Sequence, residues 1–247
     1  MLELKNISYS VNVIEQGKKQ KKEILKNISI KFDTNKYYCI TGPNGSGKST
    51  LAKIIMGIVK PTGGNIYFDG KDITNLSITE RAKLGISFAF QQPVKFKGLT
   101  VKDLLTLASG TEIDMNTACK YLSDVGLCAR DYISREVDGS LSGGELKRIE
   151  IAQMVARKGK VTIFDEPEAG IDLWSFNSLI DVFGNLSKVT KGTTIIISHQ
   201  ERIINFADTL ILLENGKIKN VGTPAEVMKE ITGVSRPCKV MEAKDVR

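Results

Sequence analysis

The chain has 247 residues, 41% of them hydrophobic and 26% charged, with a net charge of +7. That is long enough for a full core, in one large domain or a domain with an insertion, and the balance is that of an ordinary globular protein rather than a fibrous or disordered one. No apolar run reaches the length of a membrane span, residues 1–6 do not read as a signal peptide, and four scattered cysteines without a C-x-x-C pair (Cys39, Cys119, Cys128, Cys238) suit free thiols in a reducing cytosol better than disulfides or zinc.

In chain order, Leu2, Leu4 and Ile7, then Ile24, Leu25, Ile28 and Ile30, mark two early strands over 3–13 and 24–32 that should run antiparallel. Between them, just after Gly17, come Lys18, Lys19, Lys21 and Lys22. Nucleic-acid or membrane contact is one reading of such a cluster. Without interleaved aromatics it reads better as a solvated hairpin tip. Tyr37-Tyr38-Cys39-Ile40 reads as a buried strand and 49–56 as a helix. The run that joins them, Gly42-Pro43-Asn44-Gly45-Ser46-Gly47-Lys48-Ser49-Thr50, matches the phosphate-loop pattern G-x-x-x-x-G-K-[ST] in full. Small residues there let backbone N–H groups turn inward on a polyphosphate at a helix N-terminus. Lys48 would reach the β- and γ-phosphates, and the Ser49 hydroxyl would ligate Mg²⁺.

Asp69-Gly70 is a turn signal, and 85–90 reads as another strand. From 100 to 126 the period becomes helical, with Leu104, Leu105, Leu107, Ala118, Tyr121, Leu122 and Val125 recurring, and Thr100 is placed to cap with Asp103. Leu141-Ser142-Gly143-Gly144-Glu145 opens a helix running to Ala156. Ser142, Gly143 and Gly144 can present N–H groups to an anion, or Ser142 can simply cap the helix beside a glycine hinge. Strands return at 161–164, 194–197 and 210–214, separated by helices, so they should be parallel and buried. Asn215-Gly216 closes a late hairpin. The strand Val161-Thr162-Ile163-Phe164 ends in Asp165 and Glu166. Asp165 would hold the metal, and Glu166 would polarise an attacking water as general base.

These motifs, with Phe164-Asp165-Glu166-Pro167, Ala169-Gly170-Ile171-Asp172 and the lone His199 after a strand, occur in an order that resembles the ATP-binding cassette ATPases over essentially the whole chain. The resemblance implies an α/β fold: an ABC-type P-loop NTPase with a mixed sheet core, an N-terminal antiparallel β region and a small helical insert. The catalytic domain would comprise 1–92 and 141–247, and the helical subdomain 93–140. It implies ATP and Mg²⁺ as cofactors, with Lys48, Glu166 and His199 catalytic and His199 sensing the γ-phosphate. Ser49, Gln91 and Asp165 would ligate the metal. Gln92 competes with Gln91 for its role, and Ala89-Phe90-Gln91 favours the first. It also implies that Ser142, Gly143 and Gly144 complete a partner copy's site in an ATP-dependent dimer. Where many members carry an aromatic residue that stacks on adenine, this chain has Val11, with Tyr9 on the same strand face, which implies weak nucleotide binding by a resting monomer.

Ala89-Phe90-Gln91-Gln92-Pro93-Val94 and the residues flanking the other motifs look similar to the SufC branch of the family. That branch is soluble and cytoplasmic and drives iron–sulfur cluster assembly on a SufB-like scaffold, with or without a SufD-like one. The scaffold would dock near Pro93, Val94, Lys95, Phe96 and Lys97, with Phe96 either an interface anchor or a core plug. Direct membrane insertion and nucleic-acid binding are not expected. A membrane-transporter motor is the alternative, and a nucleic-acid or ribosome regulator, a class that usually carries two cassettes per chain, is a third class. One further expectation is that Lys147 or Arg148 pairs with Glu166 or Glu168 at rest, keeping hydrolysis slow.

Overall fold

The structure is a computed structural model that describes residues 1–15, 18–171, 173–189 and 192–232. Gly17, Asp172 and Cys238 lie outside the described residues. In chain order the strands are β1 (Leu2–Glu15), β2 (Lys18–Phe32), β3 (Tyr37–Thr41), β4 (Gly63–Phe68), β5 (Lys71–Asp72), β6 (Ile86–Ala89), β7 (Phe96–Thr100), β8 (Glu136–Val137), β9 (Val161–Asp165), β10 (Thr193–Ile197), β11 (Thr209–Glu214) and β12 (Lys217–Gly222). The helices are α1 (Lys48–Met56), α2 (Ile78–Lys83), α3 (Val101–Ser109), α4 (Met115–Ser123), α5 (Ala129–Tyr132), α6 (Gly143–Arg157), α7 (Leu173–Val189), α8 (Glu201–Ile204) and α9 (Pro224–Thr232).

Three sheets result. The central one has the order β12-β11-β3-β10-β9-β6, and all its neighbours are parallel except the β11–β12 hairpin. The second, β2-β1-β4-β5, is antiparallel throughout. The mixed core and the antiparallel N-terminal region thus follow the expected fold class. The central strands are apolar on both faces, and their alternation divides the molecule into two cores. Tyr38, Ile40, Ile163, Ile195 and Ile197 face one side, where α1 and the antiparallel sheet supply Ile54, Leu25 and Phe32. Cys39, Phe164 and Ile196 face the other, packed with Leu105 and Leu122 of the helical region, Ile149 of α6 and Phe183 of α7.

The helical stretch after β7 divides into α3, α4 and α5. Thr100 and Asp103 form the expected capping box, and α3 stops at Gly110, whose φ of 71° ends the helix. β7 and β8 then pair antiparallel at the foot of α3–α5. Phe96 therefore sits in a strand, not a loop, and it is 36% exposed, so it does not plug a core. The β1–β2 ladder runs out to Glu15↔Lys18, which puts the lysine cluster on β2 at the closing end of the hairpin.

Candidate functional site: a phosphate loop with a held carboxylate

The parallel register brings four strand ends level. Ile197 pairs with Ile40 on one side and Asp165 on the other, and Ala89 pairs with Phe164. The segments leaving β3, β9, β10 and β6 therefore meet at the carboxyl edge of the sheet, where open α/β sheets bind ligands. Those segments carry Gly42–Thr50, Glu166, His199 and Gln91.

The phosphate loop is shaped by glycines that no other residue could replace. Gly42 has φ 144°, and a Cβ there would lie 1.9 Å from the Leu213 carbonyl oxygen. Gly47 has φ 102°, directly before α1. Lys48 is buried, and its Nζ donates to the Gly42 and Pro43 carbonyls at 2.9 and 3.1 Å, inside its own loop. Burial lowers its pKa, while Glu166 and Asp165 oppose the shift. The Ser46 hydroxyl is buried with no partner among the described residues. A polyphosphate would satisfy both groups at once.

Across the loop, the Ser49 hydroxyl donates to Asp165 Oδ1 at 2.8 Å. Asp165 is buried. Desolvation raises its pKa first, the Ser49 hydrogen bond opposes that, and Glu166 adds to it. A hydroxyl and a carboxylate in contact are hard oxygen donors suited to Mg²⁺.

Glu166 is held on two sides. Gln91 Nε2 donates to its Oε2 at 2.7 Å, and His199 Nε2 lies 3.6 Å from its Oε1. Glu166 itself has φ 44°, a left-handed conformation that is costly for a non-glycine residue and clusters at functional sites. Burial lowers the His199 pKa, Lys48 adds to the effect and Glu166 opposes it, so the site favours the neutral imidazole. Between Gln91 and Gln92, it is Gln91 whose side chain reaches the carboxylate.

One expectation fails here. Lys147 does not reach Glu166 or Glu168. It is 1% exposed, pairs with Glu150 at 2.8 Å, and donates to the main-chain carbonyls of Phe90 and Gln91. Arg148 donates to Gly144 and Gly126 carbonyls instead. Lys147 lies on the inward stripe of α6, facing the strand that leads into Gln91, and its ammonium is consumed there. The resting contact on Glu166 therefore comes from Gln91 and His199, not from a cation. The lysine cluster stands at the distal end of the β1–β2 hairpin with Lys19, Lys21 and Lys22 exposed, as expected, and one of its members also reaches the site. Lys22 and Ile24 of β2 line a cavity of about 330 Å³ with Asn44, Lys48, Ser49 and Glu166. Lys22 pairs across the ladder with Val11, so a lysine rather than an aromatic ring stands beside the phosphate loop, and Tyr9 packs on the core. The cluster carried no signal that set Lys22 apart from its neighbours. Only the ladder register does so.

A second cavity of about 350 Å³ is lined by Ser49, Lys53, Asp165, Gln91, Phe90 and Val94. Ser142 and Gly143 are exposed and line neither cavity. The Ser142 side chain accepts from the Glu145 amide in a capping box, so within one chain it is a helix cap.

A family profile described as ABC transporter matches residues 25–169. The "Uncharacterized ABC transporter ATP-binding protein MJ0035" of Methanocaldococcus jannaschii is 41% identical over 83% of this chain and 85% of its own length. The "Probable ATP-dependent transporter ycf16" of Trieres chinensis is 32% identical over 94% of each chain. The "Energy-coupling factor transporter ATP-binding protein EcfA1" of Ureaplasma parvum is 34% identical over 84% of this chain and 71% of its own. Among solved structures, a nucleotide-free ATP-binding cassette from an ABC transporter superposes with a TM-score of 0.74 at 30% identity, covering 94% of this chain and 95% of that one. A dimeric cassette, MJ0796, bound to ADP and Pi shares the fold with a TM-score of 0.77 at 24% identity, covering 91% and 99%. With its phosphate loop, strand-end carboxylates and histidine at one sheet edge, the chain belongs to the ABC transporter family as an ATP-hydrolysing ATP-binding cassette.

Proposed function

We propose that this cassette is a SufC-like ATPase that works on a soluble SufB-like scaffold in iron–sulfur cluster assembly, and that its hydrolysis is gated by the Gln91 loop. Lys48 and the loop amides bind the β- and γ-phosphates. Ser49, Asp165 and Gln91 are the residues that would hold Mg²⁺, which when bound neutralises charge developing on the phosphates. Glu166 takes the proton of the attacking water, and His199 contacts the γ-phosphate. Ser142 and Gly143 are available to a second copy's nucleotide, since they are exposed and line no cavity at their own phosphate loop, and the buried Gly144 follows them in the first turn of α6.

One observation carries the gating. The amide that grips Glu166 belongs to Gln91, and the same loop exposes Phe90 (42%) and Val94 (46%). A partner that covers those apolar side chains would move Gln91 and release the carboxylate. The sequence around that loop, Ala89-Phe90-Gln91-Gln92-Pro93-Val94, is where the SufC resemblance is carried, and relatives named ycf16 align over nearly the whole chain. A transporter motor remains the second reading, supported by relatives named as energy-coupling factor and ABC transporter ATP-binding proteins.

Co-expression with a SufB-like scaffold tests the choice. The chain should co-elute with the soluble scaffold and its ATPase rate should rise at least about tenfold, equivalent to about 1.4 kcal/mol off the barrier. Stimulation only by an integral membrane protein in detergent or lipid would favour the transporter motor.

A further inference from the structure

Glu168 is a carboxylate that the hydrolytic scheme above does not use, and its surroundings are unusual. It lies two residues beyond Glu166 in the segment leaving β9. Its Oε1 accepts from the Ser198 hydroxyl at 2.6 Å and from the His199 amide at 3.3 Å. Ser198 is fully buried, and its hydroxyl in turn accepts from the Gln200 amide at 3.0 Å. One carboxylate oxygen therefore pins the three-residue connection between β10 and α8. The same short segment approaches His199 twice: Glu166 at the imidazole and Glu168 at the backbone.

The other oxygen, Oε2, is buried with no hydrogen-bond partner among the described residues, and so is the Tyr37 hydroxyl. An unpaired buried carboxylate oxygen is expensive, and a hydrogen-bonding cap on this turn does not require one. Burial also pushes the Glu168 pKa up, against the Ser198 and His199 hydrogen bonds. Costly buried polar groups beside a reactive centre mark residues kept for function.

We propose that Glu168 is a positioning residue for ATP hydrolysis: through Ser198 and the His199 amide, it fixes the backbone from which the His199 imidazole faces Glu166 and the nucleotide. It touches neither substrate nor metal. The proposal rests on the role given to His199 above and is independent of which partner the cassette serves.

The test uses the isolated full chain and a double-mutant cycle. Glu168→Leu deletes the acceptor, whereas Glu168→Gln keeps a carbonyl oxygen in the same place. Glu168→Leu should lower kcat about thirtyfold with KM for ATP changed by no more than about threefold, and Glu168→Gln should stay within about threefold of the parent. In the His199→Ala background, Glu168→Leu should cost no more than about a further threefold, because residues that act through one another are not additive. A second readout needs no turnover. The chain contains one histidine, so its imidazole Hε1 resonance identifies itself. That signal should move in Glu168→Leu and stay in Glu168→Gln.

A further tenfold loss in the His199→Ala background would overturn the proposal, since Glu168 would then act elsewhere. So would Glu168→Gln falling as far as Glu168→Leu. An unmoved imidazole signal overturns it at the contact itself, whereas a moved signal with full turnover in His199→Ala overturns it at the role of His199. If Glu168→Leu does not fold, Ser198→Ala takes its place in the cycle. It removes one of the two bonds and should give a smaller loss in the same direction.

Discussion

Asp165 sits in a buried place beside Glu166, and its one side-chain hydrogen bond among the described residues comes from the Ser49 hydroxyl. A charge there is useful to a cation and costly to the empty fold. Its folded pKa is raised above the ordinary aspartate value, so the folded state holds its proton to higher pH than the unfolded chain does. Ionised Asp165 therefore destabilises the nucleotide-free protein above the folded pKa, and the penalty disappears as pH falls to the unfolded value. Asp165→Asn keeps an oxygen for Ser49 and removes the charge. Calorimetry on the nucleotide-free protein should show Tm higher by about 2–4 °C at pH 7, about 1 kcal/mol for a chain of this length, with the gain shrinking toward pH 4. The same variant should lose Mg-ATP hydrolysis by about a thousandfold in a phosphate-release assay. An Asn variant that is less stable at every pH would show that Asp165 is held by contacts other than the Ser49 bond.

At the scale of elements, α6 does more than carry the Leu141-Ser142-Gly143-Gly144-Glu145 motif. Its Lys147 and Glu150, three residues apart and buried, grip the backbone leaving β6: Lys147 donates to the Phe90 and Gln91 carbonyls, and Glu150 Oε1 accepts from the Phe90 amide at 3.2 Å. The ion pair thus fixes the strand end from which Gln91 reaches Glu166. Lys147→Met would leave Glu150 buried without its cation, and removing one member of a buried pair typically costs about 3–5 kcal/mol. Urea unfolding should show that loss. Lys147→Met with Glu150→Gln, which keeps an acceptor for Phe90, should recover more than half of it. A single mutant within about 0.5 kcal/mol of the parent would mean that water reaches the pair. A comparable device holds α1, where buried Arg81 donates to the Ile54 and Ile55 carbonyls at the helix C-terminus, both at 2.7 Å.

For the whole molecule, the proposed site finished by a second copy rests on the exposed Ser142 and Gly143, which line no cavity at their own phosphate loop. Glu166→Gln should bind Mg-ATP and hardly turn it over, because the amide cannot take the water's proton. Light scattering on this variant should find a monomer without nucleotide and a dimer with Mg-ATP, closing as the γ-phosphate is engaged from both sides. A stable dimer without nucleotide would refute the gated assembly, and a monomer under all conditions from a wild-type chain that still hydrolyses ATP would refute the shared site.

The local patterns of the chain determined its fold class and the order of its phosphate-loop and strand-end motifs. Gly42 through Thr50 needed only a strand before and a helix after. The apolar runs at β3, β9 and β10 could lie only in a sheet buried on both faces, and Thr100 with Asp103 and Asn215 with Gly216 set their cap and turn through residues that are neighbours in sequence. The partners of long side chains were decided only by the tertiary structure. Lys147 reads as a free cation one helical turn past a motif, and the packing of α6 against β6 turns it inward. Lys22 reads as one of four exposed lysines, and the β1–β2 register stands it at the phosphate loop. Arg81 gave no sign that it would be buried. Nothing in the spacing of Glu166, Glu168 and His199 shows that two carboxylates hold one histidine. Those contacts span about 30 residues of chain, and they exist because parallel pairing of β9 with β10 sets the two strand ends side by side.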